Sequence, residues 1–157
     1  MDCSWLEGVF ENLKPGDYEG KSLATANYNC IAWAASKTDQ WWWPVNVGGY
    51  YWPPQLPREP VGAETLPNFI RAFELQGYQL CDKPDHEFGF EKVALYAGPT
   101  GNPLHAARQL ETGVWTSKIG NGEDIEHKDL SALEGNEYGI AVRFLKRKRQ
   151  SSHAATG

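Results

Sequence analysis

The sequence predicts an α+β fold, with helices near the N-terminus packed on a C-terminal antiparallel sheet of four or more strands. Three observations predict it. Residues 30–37, Cys-Ile-Ala-Trp-Ala-Ala-Ser-Lys, are apolar on nearly every face, as in a buried helix and unlike an amphipathic surface one. Leu66, Phe69, Ile70 and Phe73 recur at the i, i+3, i+4, i+7 spacing of one helix face. Beyond them, the runs 93–97, 105–110, 114–119 and 138–145 read as strands punctuated by Gly, Asn and Pro turns.

In chain order, residues 2–13 hold Ser4 and Glu7 at capping-box spacing, followed by Val9, Phe10 and Leu13. This predicts a short helix closed by Lys14-Pro15-Gly16-Asp17. Thr25, Asn27 and Asn29 each offer a cap to the buried helix that begins at Cys30. Residues 38–62 carry Trp41-Trp42-Trp43-Pro44, Gly48-Gly49 and Tyr50-Tyr51-Trp52-Pro53-Pro54, then Pro57 and Pro60. That density of breakers predicts a long aromatic loop, a length associated with lids, binding loops or packed Ω-type segments. The helix from Leu66 has Pro67 in its first turn and Gly77 just past its end. After the last strand, Lys146-Arg147-Lys148-Arg149 leads into a polar stretch, so 1–146 reads as one domain and 147–157 as a disordered basic and polar tail.

A chain of 157 residues fits a single core. The formal net charge of -5 lacks the positive field behind non-specific nucleic-acid affinity, and nucleic acid is not an expected partner. No apolar run approaches the roughly 20 residues of a membrane helix and no charged-then-apolar leader opens the chain, so neither membrane association nor export is expected and the cytoplasm is the expected compartment. Cys3, Cys30 and Cys81 are odd in number and include no CxxC pair, which suggests neither a disulfide framework nor a zinc ribbon. No cofactor or metal is expected.

Chemistry points first to Cys30. A thiol attacks as thiolate, and the start of a helix favours the anion. Set among Ile, Ala and Trp, such a residue taken alone is more often an inert part of the core. His105 changes the balance, because it opens a strand after the turn 98–103, where an imidazole can reach a helix end. His86 and His153 read as surface residues, and His127 is harder to dismiss. If the hairpin turns at Glu111-Thr112-Gly113, then His105 lies opposite Ile119, with Ser117 and Asn121 on the same face. The group that orients the imidazole is then, in order of preference, Asn121, Asp124 or Ser117.

With these residues in view, Tyr28-Asn29-Cys30-Ile31-Ala32-Trp33-Ala34-Ala35 resembles the nucleophile helix of papain-like cysteine hydrolases. His105-Ala106-Ala107 through Trp115-Thr116-Ser117-Lys118-Ile119-Gly120 resembles their histidine strand and the strand after it. The chain also resembles bacterial proteins with a Trp-rich loop between the two motifs. The resemblance implies a papain-like fold and a hydrolase or acyltransferase acting on an amide or thioester, with a peptide-like or other small acyl substrate. It implies Cys30 as nucleophile, His105 as base, Asn29 or the Cys30 amide as oxyanion donor, and Trp41, Trp42, Trp43, Tyr51 and Trp52 beside the substrate groove. Lys92-Val93-Ala94-Leu95-Tyr96 is similar to the histidine strand of the NlpC/P60 amidases, with Lys92 where that subgroup has its histidine. The alternative is a non-catalytic papain-like binding module with the Trp-rich loop as its platform. A metal hydrolase built from Asp82, Asp85, His86, Glu87, Asp124 and His127 is weaker, because no pair has HExxH spacing.

Overall fold

The computed structural model describes residues 2–150. Nine strands run in chain order: β1 (Tyr18–Ser22), β2 (Trp41–Trp42), β3 (Tyr50–Tyr51), β4 (Gln79–Cys81), β5 (Phe90–Ala97), β6 (Pro103–Gln109), β7 (Trp115–Lys118), β8 (Asp124–His127) and β9 (Ile140–Lys148). Two α-helices, α1 (Cys30–Ala34) and α2 (Leu66–Glu74), lie between them. Seven strands form one sheet in the order β1-β8-β7-β6-β5-β9-β4, with every neighbouring pair antiparallel. β2 and β3 make a separate parallel pair.

This corrects the expected α+β, papain-like arrangement of N-terminal helices on a sheet: the fold is mostly β. Residues 2–13 form only a 3-10 turn, Ser4–Gly8, with no side-chain cap. Gly8 interrupts the segment before a second turn can repay the cost of helix nucleation. In the large sheet β1, β4 and β8 add to the four read from sequence, and β2 and β3 form inside the segment expected to be a loop.

The sheet has two covered faces, so β5 can be buried along nearly its whole length. On one face Val93, Leu95, Ala106 and Leu145 pack under Cys30, Ile31 and Ala32 of α1, Phe69 and Phe73 of α2, and Trp42 and Trp52. On the other, Ala94, Tyr96, Ala107, Trp115 and Ile125 pack against Leu6, Phe10, Leu13 and Leu133. No helix among the described residues is long and apolar enough to cross a membrane.

The helix at Leu66 is as the spacing predicts. Thr65 caps it by accepting from the Asn68 amide at 3.3 Å, and Gly77 follows its end at φ 92°. Replacing that cap, Thr65→Ala, is expected to cost about 1 kcal/mol in urea unfolding. The expected tail starts too early, because Arg147 and Lys148 belong to β9, where Arg147 bonds Glu91. Residues 151–157 lie outside the described residues.

Candidate active site

Cys30 is the first residue of α1. The segment before it is fixed by Asn29, whose Oδ1 accepts from the amides of Ala32 at 3.1 Å and Trp42 at 3.0 Å, while Nδ2 donates to the Trp42 carbonyl at 2.9 Å. Of the three possible caps, Asn29 is the one used, and its side chain is engaged in holding the backbone together. Asn29→Ala removes three buried hydrogen bonds, so a loss of about 2 to 4 kcal/mol is expected in a denaturant midpoint.

The Cys30 sulfur lies against β6 at the backbone amide of Ala106. Burial pushes its thiol up to about 11; the amides of Ala106, Ile31 and Cys30 itself, then the Lys118 charge, pull the other way and do not prevail. At neutral pH the sulfur rests as thiol.

His105 is fully buried one residue earlier on β6. Successive residues of a strand face opposite sides. The Ala106 side chain therefore joins the α1 face, while the His105 ring joins the other, where it stacks on Tyr138 at 4.0 Å and 5° and meets the edge of Tyr96 at 5.2 Å. The β6–β7 ladder pairs only Arg108 with Thr116 and Gln109 with Trp115. Beyond Arg108 the two strands are not laddered, and no hydrogen bond joins the Cys30 sulfur to His105, the pair expected from the sequence, among the described residues.

His105 Nε2 stands 2.9 Å from Ser117 Oγ, which is 2.8 Å from His127 Nε2; His127 Nδ1 is 3.0 Å from the Asp129 carbonyl. Proton accounting fixes the direction. A carbonyl only accepts, so His127 carries its proton on Nδ1 and accepts from Ser117 at Nε2. Ser117 must then accept from His105 Nε2–H. The His105 Nδ1 is left as a buried lone pair with no partner among the described residues. Burial holds both imidazoles neutral: His105 well below its usual range, with His127 adding to the effect, and His127 down to about 4, partly opposed by its bond to Asp129.

One family model, described as Domain of unknown function (DUF7689), matches residues 19–146, a span containing Cys30, His105, Ser117 and His127. The chain belongs to that family. No curated protein matches the chain, and no solved structure does.

Within this DUF7689 domain the other predicted site residues fall elsewhere. Asn121 is exposed in the turn after β7, and Asp124 is buried on β8 opposite Lys118 with Oδ1 unbonded. Neither meets His105, whereas Ser117, third in the predicted order, does. His127 completes the chain of bonds. The sequence signal that could have found it is the tight turn from Ile119 to Glu123, which sets Trp115 opposite His127 and so puts His127 on the face of Ser117.

The Trp-rich segment is largely core. Trp42 and Trp52 are buried, and Trp52 lies 4.9 Å from Phe69. Trp41 donates to the Ala26 carbonyl, Trp43 donates to Glu64 at 3.1 Å, and half-buried Tyr51 leans on Trp42 at 4.7 Å. Lys92 donates to the Lys83 carbonyl at 2.9 Å and pairs with Glu87. Among the described residues no three His, Cys, Asp or Glu side chains are grouped to hold a metal ion.

Proposed function

We propose that this domain is a cysteine hydrolase or acyltransferase that attacks an amide or thioester carbonyl through Cys30, with His105 as base and Ser117 holding the base in place. The observation that supports it most is the bare Nδ1 of His105. An unbonded imidazole nitrogen in an interior is costly and calls for an explanation. This one belongs to the residue next to Ala106, whose amide faces the Cys30 sulfur. The residue types are those of a nucleophile, a base and a group orienting the base, of which this structure joins the last two.

Cys30 and His105 are not hydrogen-bonded in this structure and their side chains leave opposite faces of the sheet, so the reaction requires the two to be brought together; the thiol proton then passes to His105 Nδ1 as the sulfur bonds to the carbonyl carbon and the carbonyl electrons move to oxygen. Collapse of that oxyanion breaks the bond to the amine or thiol, which leaves with the proton from Nδ1. Water or another acceptor then attacks the acyl-sulfur bond by the same route in reverse. Because the resting pair is neutral, transfer of the proton accompanies attack and no preformed ion pair is needed.

Two consequences follow for pH. The base must be unprotonated, and burial keeps it so well below the usual histidine range, while the thiol stays protonated to about 11. kcat/KM for a hydrolysed thioester is therefore expected to stay flat between about pH 6.5 and about pH 9, unlike the bell centred near neutrality that unshifted groups give. A sharp alkaline fall in that interval would contradict the assignment.

Incubation with a panel of small thioesters and anilides, followed by intact-mass measurement, tests the reading. An acyl adduct on Cys30, absent in Cys30→Ala and accumulating poorly in His105→Gln, is expected. No adduct, together with alkylation of Cys30 no faster than that of buried Cys3, would sink it. The raised thiol favours the second reading, a non-catalytic module that uses the half-buried edges of Trp41, Trp43 and Tyr51. Saturable tryptophan quenching by a ligand, unchanged in Cys30→Ala and without an adduct, is what that module would give.

A further inference from the structure

We infer that Lys118 is a positioning residue for Cys30, its ammonium held in the interior as the counter-charge that steadies the sulfur when it becomes anionic. This rests on the cysteine reading of the site above. The strand period makes the case. Ser117 and Lys118 are consecutive on β7, so they project to opposite faces. Ser117 reaches His105 on one side of the sheet, and Lys118 emerges on the side that carries α1 and Cys30.

Lys118 is fully buried, an unusual place for a lysine. Its Nζ donates to the Thr25 carbonyl at 2.7 Å and to the Gly120 carbonyl at 2.5 Å, and it stands 5.3 Å from the centre of the Tyr28 ring. It makes no ion pair among the described residues. The charged and titratable groups around it are Cys30 at the start of α1, Asp124 on β8, Glu123 in the turn before β8, and Tyr28. Burying an ammonium without a bonded carboxylate is expensive, and hydrogen bonds to carbonyls offset only part of the cost. A thiolate at Cys30 would complete the arrangement. The same side chain also ties the segment leading to Asn29 and Cys30 to the turn after β7, which fixes where the sulfur sits.

Burial draws the Lys118 ammonium toward its neutral form, while Cys30, Asp124 and Glu123 draw it back; Lys118 in turn favours the Cys30 anion. Lys118→Gln keeps a donor for the two carbonyls and removes the charge. Lys118→Arg keeps the charge.

The experiment is the rate of iodoacetamide alkylation of Cys30 in the whole chain, from about pH 7 to about pH 11, read by mass spectrometry. A shift of about one pKa unit in the thiol is about tenfold in thiolate at a fixed pH. Lys118→Gln is therefore expected to alkylate about tenfold more slowly near pH 8, with Lys118→Arg within about threefold of the unaltered protein. A folded Lys118→Gln with an unchanged profile would overturn the inference. Should that variant fail to fold, the Nζ resonance of Lys118 in the unaltered protein serves: it must shift when Cys30 is alkylated, and a static resonance overturns the inference equally. If the alkylation profile responds to Lys118 but no acyl adduct forms on Cys30, the hydrolase reading has failed and the Lys118 assignment stands. The reverse pair of results leaves the hydrolase and removes Lys118.

Discussion

Trp52→Ala is expected to cost about 3 to 5 kcal/mol, the range for deleting a large aromatic from a close-packed interior. A domain of this size has about 5 to 15 kcal/mol in all, so the variant should be mostly unfolded in modest urea. Trp52 is 1% exposed and packs against Phe69, in the same cluster as α1, α2 and the sheet. Trp41 is half-buried, and Trp41→Ala should cost about 1 kcal/mol or less. The indole N–H of Trp52 has no partner among the described residues, so Trp52→Phe forfeits volume but no hydrogen bond and should fall well short of the alanine cost. Urea midpoints for the three variants measure this directly. Equal losses at Trp41 and Trp52 would mean that the aromatic segment is a surface feature and not the cover of the core.

That segment also shows where the sequence was readable. Its proline and glycine density correctly excluded long regular elements, yet composition could not say that Trp42 and Trp52 are buried or that Trp43 and Trp52 pack against Phe69 of α2. α2 itself was legible because four apolar residues, a cap and a terminal glycine all agree. β5 and β9 were legible from β-branched and aromatic runs, and the hairpin from Leu110 to Val114 is in the register that the Glu111-Thr112-Gly113 turn implies. β1 and β8 were not. Tyr-Glu-Gly-Lys-Ser and Asp-Ile-Glu-His have little apolar content; β1 becomes a strand through a long-range pairing with β8 that has no local signature, and β8 by pairing with β7 across the tight turn from Ile119 to Glu123. The N-terminal turn shows the converse: its capping-box spacing was present, but Gly8 and the short run left nothing to propagate. At the site, the hairpin register put Ser117 on the face of His105, but preference went to the stronger acceptors, Asn121 and Asp124, which the turn after β7 carries elsewhere.

The second large effect is acid destabilisation, and it comes from the same bonded chain of His105, Ser117 and His127. Both rings are neutral in the fold, and their pKa values lie below the ordinary 6.5 that they regain on unfolding. Below about pH 6.5 the unfolded chain therefore binds more protons than the folded one, and stability falls as pH falls. Above that value the contribution is complete. His127, at about 4 in the fold, accounts for on the order of 2 kcal/mol between pH 7 and pH 5. His105 adds to it in the same direction, since protonating it would place a second charge beside His127 in a site with no carboxylate bonded to either ring. Ser117→Ala should steepen the loss above pH 5 little, because burial and not the hydroxyl depresses both rings, but it should lower stability at every pH by leaving two imidazole nitrogens unbonded. Urea midpoints taken from about pH 7.5 to about pH 4.5 measure the slope. A midpoint that stays level down to pH 5 would mean that the two rings already share a proton, and that His105 cannot offer the vacant nitrogen on which the chemistry of Cys30 depends.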